Sequence, residues 1–292
     1  MALFTISSGF LKITVASHAA ELQSIRGADG TEYLWQGDPA YWPERAPTLF
    51  PYIARLKQDS YYLDGRLYRM GIHGLAPYTD FSCAEHSADT LVLSMTDTPE
   101  TLRQYPRRFR FSVRYHVTEN RLEVTYLVEN RDERPMYFGV GGHPGFRVPL
   151  KAELSFADYR LRFSAPCSTK RIVFSGELLV TGEEMPYALA EGQVLPLSHG
   201  LFHEDAVVLR DMCREITLES KKDTHSITVA SPDMPYLGLW HMPDTDAPYV
   251  CIEPWSSLPS RQQEIADLAA QPDLICLPAK EEYTNCWSIT LK

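Results

Sequence analysis

A histidine set among glycines and a glutamate at the end of an apolar run are the residues best suited to move protons. In Gly139-Val140-Gly141-Gly142-His143-Pro144-Gly145-Phe146, glycines flank His143 and Pro144 fixes the backbone after it. Glycine lets a chain approach a ligand closely and adopt angles closed to other residues. The same string would also serve a turn carrying an incidental exposed histidine. In Val250-Cys251-Ile252-Glu253-Pro254-Trp255, Glu253 follows a buried-looking strand and Pro254 biases it toward extended backbone. A carboxyl desolvated there has its pKa raised toward the range useful for proton transfer; an ion pair with a nearby arginine is the plainer alternative. Gly71-Ile72-His73-Gly74 offers a second histidine, readable by itself as a simple turn. Asp205, in Leu201-Phe202-His203-Glu204-Asp205-Ala206-Val207-Val208-Leu209, offers a second acid, although aspartates commonly cap turns.

The elements that would hold these residues are strands. Phe109, Phe111, Val113, Tyr115 and Val117 fall on one face of an alternating segment, with Arg110, Ser112, Arg114 and His116 on the other. After a polar turn at Glu119-Asn120, residues Leu122, Val124, Tyr126 and Val128 repeat the alternation, which predicts an antiparallel hairpin. Asp64-Gly65 marks a second hairpin, because this pair tolerates the positive φ angles of a tight turn. Glu215–Glu219 and Ser226–Ala230 flank a third turn, and Met1–Val15 and Trp287–Leu291 also alternate. Helices are few: Ser260–Ala270, with Ile265 and Leu268 as an apolar stripe, and a turn or so at Thr98–Tyr105. With almost no helix between the strands, the expectation is an all-β fold of sheets packed on sheets. With no internal repeat or linker, residues 1–292 are read as one domain.

Trp42, Trp240 and Trp255 add flat apolar faces suited to the C–H side of a sugar, while carboxylates and imidazoles bind its hydroxyls. In order along the chain, Ile53-Ala54-Arg55-Leu56, His73-Gly74, Gly142-His143-Pro144, Phe202-His203-Glu204-Asp205 and Cys251-Ile252-Glu253-Pro254 resemble the successive motifs of the aldose 1-epimerase (galactose mutarotase-like) superfamily, most nearly its bacterial LacX-like branch. The resemblance implies a large antiparallel β-sandwich with few short helices, binding a sugar across one sheet. The implied reaction is interconversion of the α and β anomers of a hexose, an isomerase activity needing no metal, nucleotide or redox cofactor. By that likeness Glu253 would be the general base on the C1 hydroxyl and His143 the general acid on the ring oxygen. His73 would hydrogen-bond near that oxygen, and Arg55, Asp205 and Trp240 would bind the substrate. The chain departs from the family twice. Tyr236-Leu237-Gly238-Leu239-Trp240 lacks the glutamine that mutarotases carry there, leaving Trp240, and Pro77 stands where many nearer relatives have an arginine.

Other readings stay open. A hexose-6-phosphate 1-epimerase of the same superfamily would need arginines at its pocket; Arg103, Arg107, Arg108 and Arg110 cluster, but in a pattern expected of a solvated face. A non-catalytic sugar-binding or sensing protein is another. His73, His143 and Glu253 also form a two-histidine, one-carboxylate set of the kind that holds a metal. Composition narrows the partners to a small-molecule sugar. A net charge of −10, from 28 Lys+Arg against 38 Asp+Glu, disfavours nucleic acid. No apolar run is long enough to cross a bilayer, and no signal peptide is evident. Six cysteines without a CxxC pair suit reduced thiols in the cytoplasm. A monomer or homodimer is expected.

Overall fold

The computed structural model describes all 292 residues, and two large antiparallel sheets dominate it. The nine-stranded sheet runs, edge to edge, Val194–Pro196, Tyr159–Phe163, Glu215–Ser220, Ser226–Ala230, Glu282–Leu291, Arg121–Asn130, Phe109–Thr118, Thr90–Thr96, Ser82–His86. The eight-stranded sheet runs Val180–Pro186, Lys170–Phe174, Val207–Arg210, Tyr236–Trp240, Tyr249–Trp255, Gly141–Gly142, Thr48–Leu49, with Gly145–Arg147 also paired to Tyr249–Trp255. Between them lies a core of 62 buried residues. Phe111, Val113 and Tyr115 enter it from the larger sheet; Leu237, Leu239, Val250 and Ile252 enter it from the smaller.

Strand alternation then decides where the chemistry sits. With Val250 and Ile252 turned into the core, Cys251, Glu253 and Trp255 share the opposite face, as do Gly238 and Trp240 on the neighbouring strand. That outer face is covered as well, so all seven residues of Tyr249–Trp255 are buried. Glu253 is therefore held in a strand with little water on either side.

The expected hairpins form at Phe109–Thr118/Arg121–Asn130, Glu215–Ser220/Ser226–Ala230 and Ser60–Leu63/Arg66–Arg69. In the last, Asp64 (φ 51°) and Gly65 (φ 73°) supply the two positive φ angles of the tight turn. The short helix Pro99–Gln104 is capped by Thr98. Two expectations are corrected. Met1–Val15 is a hairpin, Leu3–Ser7 with Leu11–Ala16, in which the Ser8 hydroxyl accepts the Phe10 and Leu11 N–H groups. Ser260–Ala270 is not a helix. Its backbone bonds outward instead, to Val180 from Ser260 and Gln262, and to Tyr62 from Ala266 and Leu268. Two apolar positions make too narrow a stripe to outweigh those pairings.

The arginine cluster is also corrected at one position. Arg103 and Arg108 are exposed, but Arg107 is 1% exposed and donates to both carboxylate oxygens of Asp64, at 2.9 and 3.1 Å, and to the Pro135 carbonyl at 2.7 Å. Asp64→Asn keeps the turn geometry and removes the counter-charge of a buried guanidinium. It is expected to cost roughly 2 kcal/mol, less than the loss of a fully buried pair because Asp64 is half-buried. Urea denaturation measures this. The hydrogen bond from Arg107 holds Asp64 below its ordinary 3.8, so the stabilisation is present above that pH. The gap between wild type and variant should accordingly narrow as pH falls below 3.8.

Candidate active site

The outer face of the eight-stranded sheet opens into a cleft of about 820 Å³. Arg55, His73, His143, Asp205, Trp240 and Glu253 all line it. Residues far apart in sequence meet there because Gly141–Gly142 and Gly145–Arg147, which bracket His143, both pair with the strand that carries Glu253.

His143 and Glu253 face each other, Nε2 to Oε2, at 3.4 Å. Around the imidazole stand Trp42 with its ring centroid 4.9 Å away, Trp240 at 5.6 Å and His73 at 5.5 Å. This enclosure pushes the His143 pKa down to about 4. Burial likewise drives Glu253 well above the ordinary carboxylate range; a hydrogen bond from Trp255 opposes the rise and the charge of Asp205 adds to it. Both shifts favour uncharged partners, so over the intervening pH range the pair holds one proton between two atoms in near contact. No arginine pairs with Glu253. Its protein partners are His143 and the Trp255 indole, whose N–H donates to Oε2 at 3.2 Å.

His73 is fixed from behind. Its backbone N–H donates to the Ala54 carbonyl at 2.9 Å, and the Ala54 N–H donates to Nδ1 at 3.1 Å. With Nδ1 occupied as an acceptor, the neutral ring carries its proton on Nε2. Burial, with the charges of His143 and Arg55, keeps the His73 pKa well below normal, so the ring is a neutral donor. A positive φ of 63° at His73 lets the chain make this return. Asp205 also has positive φ, 76°, in the turn before Val207–Arg210. Arg55 lies at the exposed rim.

The donor atoms that converge within 4.8 Å of one another belong to His143, Cys251 and Glu253. The set of His73, His143 and Glu253 considered from sequence is thus corrected: His73 stands outside the group, its Nδ1 spent on Ala54.

Several lining residues had no sequence signature. Arg171, Phe174 and Met185 come from the edge hairpin Lys170–Phe174/Val180–Pro186, and Arg171 meets Glu204 at 3.3 Å. Pro77 and Tyr78, in the 3-10 turn Ala76–Tyr78, stand where relatives would bring an arginine. Of the arginines at 103–110, none lines the cleft.

The fold and this cleft define a sugar-epimerase type of β-sandwich, and the aldose 1-epimerase family model matches residues 2–289: the chain belongs to that family. Within it, the chain is 30% identical to the chromosomal protein LacX of Lactococcus lactis subsp. lactis, over 98% of both. Among solved structures it is similar to a galactose mutarotase-like protein from Lactobacillus casei, at 33% identity and a TM-score of 0.93, covering 100% of both chains. A galactose mutarotase related enzyme from Lactobacillus acidophilus gives a TM-score of 0.95 at 30% identity, covering 100% of this chain and 97% of that one. No helix is long and apolar enough to cross a membrane.

Proposed function

We propose that the protein interconverts the α and β anomers of a hexose by acid–base opening and closing of the ring. The observation that carries this reading is the His143–Glu253 contact at 3.4 Å on the cleft wall. Ring opening removes a proton from the C1 hydroxyl and delivers one to the ring oxygen. Both oxygens are bonded to C1, so the base and the acid must be near neighbours. Glu253 takes the hydroxyl proton and His143 gives its proton to the ring oxygen as the C1–O bond breaks. The open-chain aldehyde rotates about C1–C2. Reclosure runs the transfers in reverse and restores the pair's single proton. His73, with its Nε2–H fixed, donates near the ring oxygen; Arg55 and Asp205 bind hydroxyls, and Trp42 and Trp240 face the C–H side of the ring.

The test is polarimetry or NMR of anomer exchange over a panel of free and phosphorylated aldoses. Acceleration of at least one aldose supports the reading, whereas sugar binding with no acceleration would make the protein a sugar sensor. A phosphorylated hexose is favoured by one observation, that Arg55 and Arg171 both line the cleft. Comparing glucose 6-phosphate with glucose decides it. The six free thiols support a reducing compartment, and we place the protein in the cytoplasm.

Proton sharing sets the pH dependence. Only the one-proton pair can both accept and donate, so kcat/KM against pH should be bell-shaped. On the acid side activity should be lost near pH 4, where His143 takes up a second proton. The alkaline limb should lie well above the ordinary carboxylate range, where the pair loses its proton. A profile still rising below pH 4 would contradict the assignment of His143.

A further inference from the structure

Resting on the anomerase reading, a residue outside the expected set deserves a role. Trp255 lies two positions beyond Glu253 on the same face of the same strand, and is 4% exposed. Its indole N–H donates to Glu253 Oε2 at 3.2 Å. His143 contacts the same oxygen. Oε1 has neither contact, which leaves it for a ligand in the cleft.

The ring is slotted between two glycines on the flanking strands. A Cβ at Gly238, the register partner of Glu253, would lie 3.0 Å from Trp255 Cζ2 and 3.3 Å from Glu253 Cβ. One at Gly141, the partner of Trp255 itself, would lie 3.1 Å from Trp255 Cδ1. Both strands thus leave room for the indole and for nothing larger. Packing fixes the ring plane, and with it the direction of the N–H.

We propose that Trp255 is the positioning residue for the base: its N–H pins one carboxylate oxygen of Glu253 so that the other faces the substrate, and it sustains the ionised form that accepts the C1 proton. A buried carboxylate without such a donor keeps its proton, leaving the pair fewer molecules in the carboxylate–imidazolium form that opens the ring. The titratable groups facing Glu253 are His143, Asp205, Cys251 and Tyr249. All four are unaltered when only the indole N–H is removed.

The test replaces the Trp255 indole site-specifically by benzothiophene, a ring of nearly the same shape with sulfur in place of N–H, with Trp255→Phe as a second variant. Expected are a fall in kcat of about tenfold, an unchanged KM and an alkaline limb about one pH unit higher, the size of one charge-assisted hydrogen bond. The Glu253 carboxyl band in infrared difference spectra, with Glu253→Gln as the blank, should titrate about one unit higher too. An unmoved titration midpoint in the benzothiophene protein overturns the proposal, as does an equal loss of sugar binding and turnover with no shift of the limb. Since the infrared midpoint needs no turnover, a shift in a protein inactive on every aldose would uphold Trp255 and refute the anomerase reading instead.

Discussion

Glu253→Gln is expected to lower anomer exchange by about 10²–10⁴-fold while sugar affinity changes by only a few fold. The argument is one of isosteres. The amide has the shape of the carboxyl, and its oxygen can still accept the Trp255 N–H, so the strand and the cleft wall should keep their form. What disappears is basicity, because an amide cannot take the C1 proton. Replacing a buried ionisable group by a neutral one also removes a desolvation cost, so the variant should be no less stable than wild type. Polarimetry gives the rate. The tryptophans lining the cleft, Trp42, Trp240 and Trp255, give a fluorescence readout of binding. Wild-type turnover in this variant would remove Glu253 from the mechanism.

His143→Asn is expected to show a loss of the same order, about 10²–10⁴-fold, with the limb near pH 4 abolished. Asparagine is smaller than histidine and leaves the aromatic surround of Trp42, Trp240 and His73 in place, yet it can neither carry nor release a proton in this range. The two variants should not add. Once either partner is gone the shared proton has no second site, so the double variant should be little slower than the slower single one, as for residues that act as a unit. Losses that multiply would mean that His143 and Glu253 work independently, contrary to their 3.4 Å contact.

The chain's local patterns reach as far as its strands. Alternation over Phe109–Thr118 and Arg121–Asn130, and the Asp64-Gly65 turn, are short-range properties in which each residue's face follows from its neighbour two positions away. Such patterns placed Glu253 on a buried strand and marked His143 by its glycines and proline. The same kind of reasoning failed at Ser260–Ala270, where a weak apolar stripe gave way to hydrogen bonds with Val180 and Tyr62. It failed also at Arg107, whose burial depends on Asp64 across a hairpin.

His143 and Glu253 return, then, with a sharper division between what their own segments say and what the fold adds. The sequence by itself determined that Glu253 would be short of water, because an apolar strand ending in Glu-Pro goes into a sheet, and that His143 would sit on backbone free to bend. Only the tertiary structure decided that the two share a proton, that Trp255 rather than an arginine holds the carboxyl, and that Ala54 fixes which nitrogen of His73 carries hydrogen. The physical reason is that a side chain's face is set by the two-residue period of its own strand, whereas its partner is set by which strands lie side by side, and strand order is a property of the whole core.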